Sequence, residues 1–105
     1  LADHPGHAVA ARQQKGFGGM ISIDVGCLDR AQALVGGLRL FTLAESLGGV
    51  ESLVCHPAVM THAAVPRAER EAIGVTDGLV RFSVGVEDPE DLVADVRGAL
   101  DALAR

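Results

Sequence analysis

The stretch LVRFSVGVEDPEDLVADVRGAL, residues 79–100, constrains the fold more than any other part of this chain. It opens as a run of β-branched and aromatic residues and then changes period. Asp88 suits a helix N-cap, Pro89 suits the first helical position, and Glu90 and Asp91 fall in the first turn, where acid meets the positive end of the helix dipole. Leu92, Val93, Val96, Ala99, Leu100 and Leu103 then share one helical face. A strand over 79–86 must therefore feed an amphipathic helix almost at once. Val80, Phe82, Val84 and Val86 lie on one face of that strand and should pack under the helix. The opposite face carries Leu79, Arg81, Ser83 and Gly85.

The remaining pattern fills in around this unit. Residues 4–15 read as a short helix, with Asp3 or His4 as cap, Pro5 in its first turn and Gly16 ending it. Residues 16–25 read as a strand in which Ile21, Ile23 and Val25 alternate with Ser22 and Asp24. Asp29 should cap a second helix with an apolar stripe of Ala31, Leu34, Val35 and Leu38, stopped by Gly36-Gly37. LRLFTLA, 38–44, reads as a buried strand. A short strand near 50–55 follows, then an irregular stretch to about Val65, one or two helical turns over 66–74, and a turn at 76–78. Strands within 38–55 follow one another too closely for βαβ crossovers. The expected fold is α+β, a small, mostly antiparallel sheet with helices on one face.

Composition narrows the function. With 105 residues, the chain is one modest domain. A net charge of −5 argues against nucleic-acid binding. No apolar stretch approaches the ~20 residues that cross a bilayer, and no signal peptide is visible, so no membrane partner is expected. Cys27 and Cys55 have no CxxC spacing and are expected to be free and buried, in a cytoplasmic protein. Tyr and Trp are absent and Lys15 is the only lysine, so the acid–base repertoire is thin. The chain opens at Leu1 in a helix-like segment and reads as a piece of a longer protein.

Arg81 is the residue that asks for an explanation. An arginine in mid-strand is costly to bury without an anion. A solvated or ion-paired side chain meets that requirement; so does a bidentate clamp for a carboxylate or phosphate. The stretch FTLAESLGGVESL, 41–53, supplies the rest of such a site. Glu45, Ser46, Leu47 and Gly48 follow directly after an apolar run, where loops carry function. A hydroxyl and free backbone amides there can hold an anion beside Arg81, and Glu45 can meet a cation. The set suits a zwitterionic amino acid.

AESLGGVESL, HPAVMTHA (56–63) and REAIGVTDGLVRFSVGVEDPEDLVADV (70–96) together resemble the C-terminal segment of the cystathionine γ-lyase / cystathionine γ-synthase family. These are the pyridoxal-phosphate (PLP) enzymes of Cys/Met metabolism. HPGHAVAARQQKGFGGMISIDV is similar to that family's entry into its small C-terminal domain. The resemblance implies a linking helix over 1–15 from a large PLP-binding domain and a substrate-binding domain over 16–105. It implies that Arg81 binds the substrate α-carboxylate, that Ser46 lines the site with Leu47 close by and possible contact with the cofactor, and that Glu45 sits near the distal amino group of cystathionine-type substrates. A glutamate at that position favours the γ-acting enzymes, the lyase ahead of the synthase. The resemblance also implies a homotetramer. It places the Schiff-base lysine in the preceding domain, so no catalytic residue lies in this segment, and Thr61 and His62 take no catalytic role.

Other candidates carry less. His4, His7, His56 and His62 have no metal-ligand spacing, and no metal is expected. GFGG is not a dinucleotide fingerprint. EDPED is a capping device before it is a metal site. Two readings of other classes remain: an amino-acid-binding regulatory module without cofactor, and a structural or dimerisation domain.

Overall fold

A computed structural model describes residues 1–104; Arg105, the end of the expected second segment, lies outside the described residues. Four strands form one sheet: β1 (Met20–Asp24), β2 (Thr42–Leu43), β3 (Leu53–Cys55) and β4 (Leu79–Ser83), in the order β1-β4-β3-β2. β4 pairs antiparallel with both β1 and β3, whereas β2 runs parallel to β3. The helices are α1 (His7–Gln13), α2 (Leu28–Gly37), α3 (Arg67–Ala72) and α4 (Pro89–Leu103), with a 3₁₀ turn over Pro57–Val59. The fold is α+β, as expected, with a mixed sheet.

The core follows the parity of β4. Val80 and Phe82 are buried against Ala31 and Leu34 of α2, Leu92 and Ala99 of α4, Val54 of β3, and Phe41. Phe41 meets Phe82 edge to face at 5.1 Å between ring centres, the arrangement that aromatic quadrupoles favour. Small residues let α2 and α4 approach: a Cβ on Gly37 would already touch that of Ala99. Asp88 caps α4 by accepting from the backbone N–H groups of Glu90 and Asp91.

Several boundaries differ from the sequence expectation, each for a local reason. The strand expected over 38–44 shrinks to two residues. The backbone N–H groups of Arg39 and Leu40 donate instead to the Asp95 carboxylate on α4, at 2.8–3.1 Å. A carboxylate that captures adjacent amides withdraws them from a ladder. Asp29 does not cap α2; Cys27 holds the N-cap position, exposed rather than buried, and Asp29 falls in the first turn. Gly36 and Gly37 stay helical, and the stop is the extended Leu38. At the N-terminus, His4 Nδ1 accepts from the Gly6 N–H, which delays α1 to His7. Val86 is exposed, because the strand ends at Ser83.

The parallel β2–β3 pair has the largest consequence. Parallel neighbours ordinarily need a crossover of about a dozen residues or more. This pair is two residues long, so the segment 44–52 suffices to return the chain. It does so by looping over the sheet face opposite the helices.

Candidate functional site

That face is built from paired rows. Ser22, Arg81 and Cys55 stand side by side across β1, β4 and β3; Met20, Ser83 and Leu53 form the next row. Arg81 is half-buried and its Nη2 donates to the carbonyl oxygen of Glu45 at 2.9 Å. Among the described residues it pairs with no carboxylate. One arm of the guanidinium is therefore spent on the loop backbone, and the remaining N–H donors of the fork are available to an anion.

The loop brings Glu45 to this place, through its backbone carbonyl. Glu45, Ser46 and Leu47 are exposed and begin one residue beyond β2; among the side-chain hydrogen bonds of the described residues, neither Ser46 nor Leu47 meets Arg81. Gly48 turns the chain with φ of +79°, a conformation that glycine adopts without a Cβ penalty. Its N–H donates to the hydroxyl of Ser83 at 2.8 Å. Further along, Val86 N–H donates to the Val50 carbonyl and Gly85 N–H to the Ser52 hydroxyl. Ser52, itself buried, gives its N–H and O–H to the two oxygens of Glu87 at 3.0 and 2.7 Å. Those bonds, the backbone one first, hold the Glu87 carboxyl below the ordinary range.

Ser83, Ser52 and Glu87 were not singled out by sequence reasoning. The signal for Ser83 was present in its parity with Arg81 two residues away. No local signal pairs Ser52 with Glu87, because that contact depends on the path of the loop.

A second polar cluster fixes the far end of β4. Arg70, almost fully buried, donates to the Asp77 carboxylate at 2.7 Å and to the Val75 carbonyl. His56 lies within 2.7 Å of the Asp77 carbonyl through Nε2. The hydrogen bond from Arg70 is the largest cause that lowers the Asp77 carboxyl. Asp24, lowered chiefly by the Thr76 hydroxyl and then by the Gly26 amide, ties β1 to the same turn. Thr61 and His62 bond to one another. No group of three or more His, Cys, Asp or Glu side chains arranged for a metal occurs among the described residues, and no helix is long and apolar enough to cross a membrane.

The fold is a small α+β sheet whose one face presents an arginine anchored to the backbone of a Glu-Ser-Leu-Gly loop. Residues 1–101 match the family of Cys/Met metabolism PLP-dependent enzymes, and the chain belongs to that family. It is 57% identical over 100 residues to the cystathionine gamma-lyase of Bacillus subtilis, covering 95% of this chain and 26% of that protein. It is 52% identical to the cystathionine beta-lyase of Coxiella burnetii, over 95% of this chain and 26% of the relative. A crystal structure of cystathionine gamma synthase from Xanthomonas oryzae in complex with cystathionine superposes with a TM-score of 0.88, at 58% identity, over 99% of this chain and 27% of that one. The chain thus spans about a quarter of the length of the relatives it matches.

Membership in the family implies pyridoxal phosphate as cofactor. The described residues do not by themselves fit that group. The one lysine, Lys15, is exposed just beyond α1. A cavity of about 500 Å³ between β1 and α4 is lined by apolar residues such as Ile21, Phe82 and Leu100, with Arg97 and Asp101. It offers neither an amine for a Schiff base nor the clustered cations that a phosphate requires.

Proposed function

We propose that this chain is the C-terminal, substrate-carboxylate-binding part of a PLP-dependent cystathionine γ-lyase, which cleaves cystathionine to cysteine, 2-oxobutanoate and ammonia. In this reading residues 1–15 join it to a larger domain that holds the cofactor, residues 16–105 form the substrate-binding domain, and the enzyme is a cytoplasmic homotetramer. One observation carries the proposal. Arg81 is anchored by a backbone carbonyl on a sheet face where, among the described residues, no carboxylate meets it. A guanidinium so placed is a fork for a ligand carboxylate.

The residues divide the ligand between them. Arg81 grips the α-carboxylate and fixes the orientation of the amino acid, which is positional catalysis rather than proton transfer. Ser46 lines the same end, beside the Leu47 backbone. Glu45 offers its exposed carboxylate to the distal ammonium of cystathionine. A second reading is the γ-synthase, in which cysteine replaces the acyl group of an O-acylhomoserine. The 58% identity to the Xanthomonas synthase supports it, and the same carboxylate grip serves both reactions.

Arg81→Ala in the full-length enzyme should raise KM for the amino acid by about 10- to 100-fold, the range expected when a charge-assisted hydrogen bond is lost. Arg81→Lys should rescue it poorly, because a point charge replaces a planar fork. Steady-state kinetics decide the matter: near-wild-type KM and kcat for Arg81→Ala would sink the assignment.

A further inference from the structure

We infer that Ser83 is a positioning residue for the carboxylate site, holding the Glu45–Gly48 loop in register over Arg81 through its hydroxyl. The inference rests on the reading of Arg81 as the carboxylate clamp. It adds a residue that acts through the loop backbone.

The geometry is a row of fastenings along β4 and its continuation. Side chains at alternate positions of a strand share a face and stand about 7 Å apart. Arg81 takes the Glu45 carbonyl and Ser83 takes the Gly48 N–H. Beyond them, Gly85 reaches the Ser52 hydroxyl and Glu87 takes both donors of Ser52. The loop is therefore gripped on one side at Glu45, Gly48, Val50 and Ser52, and Ser46 and Leu47 are suspended between the first two. Ser83 is 3% exposed, so its hydroxyl is sheltered from bulk water, and a hydrogen bond in such a setting is electrostatically stronger than one in water.

Removing that hydroxyl leaves the Gly48 N–H without its acceptor. The amide must then turn to find another. Gly48 has no Cβ, and a Cβ built there meets nothing within 4 Å, so no side-chain packing at this position resists the turn. The Glu45 carbonyl lies three residues upstream and moves with the loop. Arg81 then loses the anchor that orients its free donors. Displacements of about 1 Å in a positioning group can cost on the order of 10²-fold in rate.

The test compares Ser83→Val with Ser83→Thr in the full-length enzyme. The two side chains match in volume and differ by the hydroxyl. The readout is the ratio of kcat/KM for L-cystathionine to that for its α-carboxamide, with O-succinyl-L-homoserine and its amide as the pair for a synthase. A variant that only destabilises the fold lowers the active fraction and leaves this ratio unchanged. Ser83→Val should lower the ratio by about tenfold or more, and Ser83→Thr should keep it within about twofold. Ser83→Ala serves in place of the valine variant if that one does not fold. A wild-type ratio in Ser83→Val, or an equal loss in Ser83→Thr, overturns the role of the hydroxyl. Arg81→Ala separates the two claims: if it collapses the ratio while Ser83→Val does not, the carboxylate clamp stands and the Ser83 inference falls. If Arg81→Ala keeps the ratio, the clamp itself falls.

Discussion

Two glycines of the site loop and its partner strand illustrate how differently one residue type can be required. At Gly85 a Cβ would lie 2.3 Å from the Val50 carbonyl oxygen and 2.6 Å from the Glu51 carbonyl carbon, both of them backbone. Neither atom can swing aside as a side-chain tip would. Gly85→Ala should therefore cost about 3 kcal/mol, at the upper end of overpacking penalties. At Gly48 the space is open and only the left-handed backbone resists a side chain. Gly48→Ala should cost about 1 kcal/mol. Urea denaturation of the two variants measures both. Equal costs would mean that the close approach of 85 to 50 does not hold the loop. Gly85 was legible in the sequence as a member of the Arg81 face, but its role was not. The steric demand arises from Val50, far away in sequence and brought near by the return of the loop.

At the scale of elements, what the sequence shows best is what local chemistry decides. α4 begins where Asp88 and Pro89 say it should, because a cap and a proline act on their own neighbours. The parity of β4 is equally local, and it sorts Val80 and Phe82 into the core and Arg81 onto the opposite face. The extent of the strand over 38–44 was not legible, because Asp95, more than fifty residues away, takes two of its amides. The Glu87–Ser52 tie is of the same kind, and it makes a prediction about acid. The folded carboxyl of Glu87 sits below its ordinary value. Its contribution to stability is therefore complete above the ordinary carboxylate pKa of about 4. It is lost as pH falls below that value toward the folded one. Asp24 and Asp77 are shifted the same way and add to the slope. Glu87→Gln should lower the Tm near neutral pH and flatten its fall between about pH 5 and about pH 3. Thermal melts across that range check it; parallel curves for variant and wild type would mean that the Ser52 bonds do not bias the Glu87 proton.

The whole molecule poses the question of what this chain does by itself. Its site has one guanidinium, an exposed glutamate and an exposed serine, on a face open to water. A single exposed ion pair contributes about 1 kcal/mol or less, whereas even millimolar affinity needs about 4 kcal/mol. In the proposed reading, the grip on an amino acid comes from closing the site with further groups. Cofactor, a water-excluding wall and Arg81 together would supply what Arg81 alone cannot. The isolated 105-residue chain should therefore bind L-cystathionine too weakly to detect by calorimetry at millimolar concentrations, and should turn none of it over when pyridoxal phosphate is added. A cofactor-independent regulatory module makes the opposite prediction, since its site would have to be complete within the chain. Saturable binding of a free amino acid, abolished by Arg81→Ala, would establish that module in place of the enzyme part. Undetectable binding here, with carboxylate-selective turnover in the full-length protein, is the combination that only a divided site produces.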